Sequence, residues 1–73
     1  MSYKLTPKGE VTALHANAND PEGAVIVYLY EHGRAGELVD IDELVGELNS
    51  NETKILKIIN RLLNEENPLI KEV

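Results

Sequence analysis

The first twenty residues change from an alternating to a helical pattern of apolar positions. Residues 2–5, with the sequence SYKL, alternate polar and apolar side chains and predict a strand. Thr6 followed by Pro7 is a typical helix start, because threonine caps free amides and proline fits the first helical position. A first helix over about residues 7–17 is therefore predicted. Three of its apolar side chains fall at helical spacing: Val11, Leu14 and Ala18.

The second apolar segment, AVIVYLY at residues 24–30, is rich in residues that favour strands. Its flanks indicate a helix instead, because Asp20 and Pro21 form a cap and a first turn. Gly33 is expected to end this helix in the left-handed conformation. We therefore predict a largely buried helix between these two signals, followed by a very short strand over residues 38–39.

The sequence DIDELVGELNS, from residue 40, predicts a short helix and a turn. Asp40 with Glu43 three residues later is a variant of the capping box. The apolar positions that follow share one face, so the helix is expected over about residues 41–48. A tight polar turn, Asn-Ser-Asn, connects it to the next apolar segment.

The closing segment predicts a long helix and a terminal strand. Either Ser50 or Asn51 is expected to cap a helix over about residues 52–66. Asn67, in the left-handed region, and Pro68 are expected to stop it. The final residues, LIKEV, then form a strand.

This order of elements resembles the winged helix-turn-helix family. The resemblance covers roughly residues 21–73, with AVIVYLYEHG as the opening helix, IDELVGELN as the supporting helix, and ILKIINRLLNEENPLIK as recognition helix and returning strand. It implies one mainly α domain over residues 1–73, with a three-helix core, a small β-sheet, and an extra N-terminal strand and helix. The family's wing is a hairpin after the recognition helix, but this sequence has one strand there. We expect a truncated or absent wing, with residues 2–5 supplying the third strand of the sheet.

Composition excludes several classes of function. The 73 residues contain no cysteine, no recognised catalytic motif and no paired metal-ligand spacing. His15 and His32 are better explained as structural residues than as catalytic ones. Three tyrosines are the only aromatic residues, which disfavours a binder of single-stranded nucleic acid. We expect a cytoplasmic protein that is not an enzyme and needs neither cofactor nor metal, with no membrane association.

The charge is distributed unevenly along the chain. The net charge is −6, yet residues 50–73 hold four bases and four acids and are neutral. On the predicted long helix, Lys54, Lys57 and Arg61 cluster opposite the apolar face. Cationic and amide side chains are the groups that contact phosphates and base edges. The candidate nucleic-acid-binding residues are Ser50, Asn51, Thr53, Lys54, Lys57, Arg61 and Asn64.

Two interpretations of this basic stripe remain open. The resemblance implies a transcriptional regulator that places the stripe in the major groove of double-stranded DNA. A solvated face of an ordinary amphipathic helix explains the same pattern. Four acids on or beside the preceding helix would repel DNA if they faced it: Asp40, Asp42, Glu43 and Glu47. Their repulsion of DNA favours a protein-interaction module on the same fold.

A further hypothesis is a homodimer formed through Tyr28 or Tyr30, with burial of AVIVYLY in the core as its alternative.

Overall fold

The computed structural model describes residues 1–73 and contains four helices and a three-stranded antiparallel sheet. The strands are β1 (Ser2–Leu5), β2 (Val39–Asp40) and β3 (Ile70–Glu72). The helices are α1 (Pro7–Ala13), α2 (Pro21–Arg34), α3 (Ile41–Glu47) and α4 (Glu52–Leu63). The prediction of a mainly helical domain with a small sheet is confirmed.

The N-terminal strand lies in the centre of the sheet. The strand order is β2-β1-β3, so both of the other strands pair with β1. Tyr3 faces Val39 on one side and Glu72 on the other, and Lys4 lies directly opposite Lys71. The prediction that residues 2–5 complete the sheet is confirmed. The predicted strand over residues 38–39 is shifted by one residue, because Leu38 is exposed whereas Val39 is buried and Asp40 pairs with Ser2.

One hydrophobic core joins the sheet to all four helices. The thirteen buried apolar residues come from every element and include Leu29 of α2, Leu44 of α3 and Ile59 of α4. Leu29, Leu44 and Ile59 are each at most 2% exposed. Burial of a leucine or isoleucine side chain contributes about 1.5–3 kcal/mol, so this cluster is the main source of stability.

The first helix is shorter than predicted and packs through different residues. It ends at Ala13, and the following amides bond three residues back instead of four. Val11 and Leu14 are exposed, contrary to their predicted role in the helix face. The buried positions are Gly9 and Ala13, whose small size lets the α1 backbone approach its neighbours. A Cβ atom at Gly9 would overlap the carbonyl oxygen of Leu69.

The second helix ends at a different glycine from the one predicted. The helix continues through Gly33 to Arg34, and Gly36 takes the left-handed conformation with φ 77°. The Gly36 amide donates to the Gly33 carbonyl and the Glu37 amide donates to the His32 carbonyl. These two bonds form a Schellman motif, which requires the left-handed residue two positions beyond the helix.

The short turn between α3 and α4 uses an asparagine in the same role. Asn49 has φ 51°, and the Ser50 amide donates to the Val45 carbonyl at 3.0 Å. Asparagine tolerates this conformation better than other residues with a Cβ atom. α3 is therefore closed by a Schellman motif after Glu47, one residue earlier than predicted.

α4 also ends before its predicted limit. The helix ends at Leu63, and its last turn is closed by Asn64, whose side-chain amide donates to the Asn60 carbonyl at 2.7 Å. Asn67 does not adopt the left-handed conformation, so the predicted stop at Asn67 is wrong. The Leu69 amide donates to the Leu62 carbonyl, which places the start of β3 against the end of α4.

Candidate nucleic-acid interface

The N-terminus of α4 is held by its own cap and by the turn that precedes it. Asn51 is the cap, and its side-chain oxygen accepts a hydrogen bond from the Lys54 amide at 2.9 Å. Ser50 is half-buried, and its amide is used in the turn. Of the two predicted caps, Asn51 is the correct one. Both residues position α4, although both were predicted as contact residues.

The buried side of α4 fixes which of its side chains face solvent. Ile55, Ile59 and Leu62 are at most 1% exposed and anchor the helix in the core. Successive residues of a helix are rotated by about 100°, so the opposite side must carry the remaining positions. Six exposed residues form this side, which we call the α4 face: Thr53, Lys54, Lys57, Asn60, Arg61 and Asn64.

The α4 face contains no carboxylate. The chain has thirteen acidic residues, but the only one within α4 is Glu52 in its first turn. There its negative charge interacts favourably with the positive end of the helix dipole. The face therefore presents three cations, two amides and a hydroxyl to solvent. Amides and cations in this arrangement can donate to phosphate oxygens and to base edges.

Five of the seven predicted contact residues lie on this face with exposed side chains, and they differ in how freely they can act. Thr53, Lys54 and Lys57 form no side-chain hydrogen bond or ion pair. Arg61 forms an ion pair with Glu22 of α2, at 2.9 Å between Nη1 and Oε2. Its side chain is 69% exposed, and exposed pairs of this type stabilise by at most about 1 kcal/mol. Arg61 is thus oriented by Glu22 without being buried by it.

The remaining predicted residue, Asn64, lies on the face but is partly used. Its side-chain amide nitrogen bonds the helix end, which leaves the side-chain oxygen free to accept. Asn60 was not predicted, although the 100° rotation places it on the same side as Lys57. The Glu22 contact had no sequence signal, because it joins residues 39 positions apart.

The acids of α3 are largely occupied by structural roles. Asp40 caps α3 by accepting from the Glu43 amide at 2.8 Å. Glu43 does not return to the cap as a capping box would require. It accepts a hydrogen bond from the Tyr28 hydroxyl at 2.5 Å. Asp42 and Glu47 are exposed and form no ion pair, so they carry the free negative charge of this helix.

Two titratable residues on α2 are linked to neighbouring carboxylates. The hydrogen bond to Glu43 raises the pKa of Tyr28 above its ordinary value, with burial adding to the effect. His32 lies stacked on the Tyr28 ring, with 4.0 Å between ring centroids, and its Nδ1 is 2.9 Å from Glu37 Oε2. That hydrogen bond raises the pKa of His32, while burial acts in the opposite direction on this pKa.

These contacts and the adjacent buried residues Val25, Ile26 and Leu29 place most of the AVIVYLY segment against the core.

The structure shows neither a cluster of metal ligands nor a membrane-spanning helix. No three histidine, aspartate or glutamate side chains lie close enough together to hold a metal ion. No helix has the length and apolar character needed to cross a membrane. No protein-family profile, curated protein sequence or solved structure matches this chain.

Proposed function

We propose that this protein is a winged-helix-like domain that binds double-stranded DNA through the α4 face. The observation that carries the proposal is the segregation of charge. A chain with a net charge of −6 keeps one whole helix face free of carboxylates and places Lys54, Lys57 and Arg61 on it. Neutralisation of phosphates by lysine and arginine supplies most of the affinity in non-specific DNA binding.

The order and pairing of the elements support the same proposal. α3 and α4 are joined by a turn of four residues, 48–51, and α2 packs beneath them through the shared core. β2 precedes α3 and β3 follows α4, as in the winged helix-turn-helix family that the sequence resembles. β1 lies between them and takes the place of the strand that a wing hairpin would return to the sheet. In this arrangement α4 is the recognition helix.

The side chains of the α4 face divide the work between affinity and orientation. Lys54 and Lys57 are unpaired and exposed, so a phosphate can replace their water shell without breaking a protein contact. Arg61 exchanges Glu22 for a phosphate, at little cost because the existing pair is exposed. Thr53, Asn60 and Asn64 supply the neutral donors and acceptors between these cations.

The second candidate function is a protein-interaction module on the same fold. It is favoured by Asp42 and Glu47, which are exposed and unpaired on α3 next to α4. A basic partner surface would be attracted to these carboxylates, whereas DNA would be repelled by them. The two functions therefore predict opposite effects when these two acids are neutralised.

The deciding experiment is a titration of the labelled protein with mixed-sequence duplex DNA at several salt concentrations. We expect amide shifts over residues 53–64 and an affinity in the range of roughly 10⁻⁴–10⁻⁶ M at physiological salt. Three phosphate contacts predict a slope of about −3 for the logarithm of the binding constant against that of the salt concentration. Absence of shifts over residues 53–64 at low salt would reject the proposal.

A matched pair of variants separates the α4 face from net charge alone. The triple change Lys54→Gln, Lys57→Gln and Arg61→Gln removes three cations from the face and should abolish binding. The triple change Lys4→Gln, Arg34→Gln and Lys71→Gln removes the same amount of positive charge from other parts of the protein. This variant should keep most of the DNA binding. Equal losses in the two variants would show that the chain responds only to its total charge. Asp42→Asn with Glu47→Gln should strengthen DNA binding, and a weakened affinity would contradict the assignment.

A further inference from the structure

The cations outside α4 also come together in space. Lys4, Arg34 and Lys71 come from three different elements, β1, α2 and β3, and line one cavity of about 300 Å³. Apart from Lys8, they are all the basic residues that the α4 face does not use. We call this cavity the sheet pocket. Its lining comes from the sheet, α1 and α2 and includes no residue of α4, so what it binds is independent of the function proposed for α4.

The pairing of Lys4 with Lys71 is unfavourable without a bound anion. The two residues lie directly opposite each other in the antiparallel β1–β3 ladder. Side chains at such positions have Cβ atoms roughly 5 Å apart, and like charges there are destabilising. Neither lysine forms an ion pair in the structure, whose two ion pairs join other residues. The sheet therefore brings two positive charges together and leaves both unneutralised.

Arg34 adds a third cation in a defined orientation. Its guanidinium carbon lies 5.6 Å from the centre of the Tyr30 ring. A guanidinium held near an aromatic ring keeps its N–H groups available, because the ring uses the cation's charge and not its donors. The same ring and the buried Leu29 form an apolar wall of the sheet pocket.

The charges around the sheet pocket indicate the kind of anion it suits. Three cations and the carboxylate of Glu10, which also lines the cavity, leave a net charge of about +2. A phosphate monoester carries a charge of about −1.5 to −2 at neutral pH, whereas a carboxylate or a phosphodiester carries about −1. The volume of the cavity lies at the lower end of the range for small-molecule sites, about 300–1,000 Å³.

We propose that the sheet pocket binds a small phosphate monoester, with the phosphate between Lys4, Lys71 and Arg34 and the organic part against Tyr30 and Leu29. The phosphate relieves the repulsion between Lys4 and Lys71 and accepts hydrogen bonds from the N–H groups of Arg34. The apolar wall gives the site a preference for a monoester with an aromatic or apolar group over inorganic phosphate.

The test is an NMR titration of the full chain with phenyl phosphate, with inorganic phosphate and duplex DNA in parallel. We expect saturable shifts at the amides of the three cationic residues and at the ring of Tyr30 with phenyl phosphate. Inorganic phosphate should bind the same amides about fivefold more weakly, since it gains nothing from the apolar wall. Equal affinities would assign the site to free phosphate, and shifts at these amides with DNA alone would overturn the proposal. Absence of saturable shifts with either phosphate compound would also overturn it.

Variants distinguish a built site from general attraction to a cation. Arg34→Gln should weaken phenyl phosphate binding about tenfold, as expected for loss of a charge-assisted hydrogen bond. Lys8→Gln, which removes a cation outside the pocket, should leave the affinity within about twofold. A comparable loss in both variants would contradict the proposal.

Lys71→Glu supplies a readout that does not depend on the loss of binding alone. This change converts the repulsive pair with Lys4 into an attractive one, so the melting temperature should rise while phenyl phosphate binding is lost. A fall in melting temperature would mean that the two lysines do not repel each other, and it would overturn the proposal of a bound anion. Retained binding with a raised melting temperature would likewise reject the role of Lys71.

Discussion

Two regions of the molecule differ in whether their polar groups are hydrogen-bonded within the protein. Where β1 turns into α1, Thr6 donates from its hydroxyl to the Pro68 carbonyl at 2.6 Å and accepts from the Gly9 amide at 3.1 Å. The Thr6 amide also donates to the Leu69 carbonyl. We call these contacts the N-terminal joint. On the α4 face, by contrast, the side chains of Lys54 and Lys57 have no hydrogen-bond or ion-pair partner in the protein.

The difference separates residues that build the fold from residues that remain free for a ligand. Groups in the joint have their bonding capacity used by other groups of the protein, so changes there should alter stability and leave binding by the folded molecules intact. Groups on the α4 face have theirs unused, so changes there should alter binding and leave stability nearly constant.

The largest effect is expected for Gly9→Ala. The added methyl group would overlap the Leu69 carbonyl oxygen, which belongs to the backbone and cannot rotate away. Overpacking of this kind costs about 1–3 kcal/mol, and the rigid neighbour places this case near about 3 kcal/mol. Urea unfolding followed by circular dichroism measures the change. DNA affinity per folded molecule should not change.

Gly33→Ala is the matched control for that substitution. A Cβ atom at Gly33 meets nothing within 4 Å, and the residue is helical. Alanine should therefore stabilise the protein by about 0.5–1 kcal/mol. If both glycine variants lose stability equally, the close approach of Gly9 to the Leu69 carbonyl is not the cause of the loss in Gly9→Ala.

Thr6→Ala should have the next largest effect on stability. It removes both the cap of α1 and the hydrogen bond to Pro68, with an expected loss of about 1–2 kcal/mol. Thr6→Ser keeps the hydroxyl and should recover most of this loss. A serine variant as unstable as the alanine variant would assign the effect to the threonine methyl group.

Glu22→Gln tests the other side of the division. It releases Arg61 and removes the carboxylate nearest to the basic end of the α4 face. The free energy of unfolding should change by less than about 1 kcal/mol, as for other exposed ion pairs. DNA affinity at low salt should rise about two- to fivefold because one repulsive charge is lost. An unchanged affinity would indicate that Arg61 does not take part in binding.

The smallest expected effect is a pH dependence at His32. The contact with Glu37 raises the pKa of His32 above its ordinary value of about 6.5, so the folded state binds a proton more tightly than the unfolded state. The resulting stabilisation is fully present below about pH 6.5 and is lost as the pH rises through the folded-state pKa. His32→Gln should remove this dependence. NMR titration of the imidazole should show the raised pKa, and a pKa below 6.5 would contradict the contact.

The sequence predicted the elements that depend on local signals. The caps at Thr6, Asp20 and Asp40 were correct, because each lies next to its own helix start and needs no distant partner. The buried side of α4 was also predictable, since leucine and isoleucine recur there with helical spacing. The position of the cationic residues opposite that side then follows from geometry.

The features that the sequence did not predict depend on distant contacts. Gly9 and Ala13 were not recognised as the buried face of α1, because small residues carry no hydrophobic signal while Val11 and Leu14 do. Asn64 ends α4 earlier than the prolyl signal suggested. Arg61 and Glu22 are distant in sequence, and the fold alone brings them together. The same is true of the three cations of the sheet pocket.

The central position of β1 determines when the protein can finish folding during its synthesis. β1 is translated before both of its partners, and β3 is made some 65 residues after it. At roughly 5–20 residues per second, the ribosome needs about 3–13 seconds to cover that distance. Throughout this interval at least one edge of β1 has no neighbouring strand, so the backbone N–H and C=O groups on that side are unpaired. The nascent chain therefore passes through a stage in which β1 is an open sheet edge, the kind of surface that chaperones protect from aggregation.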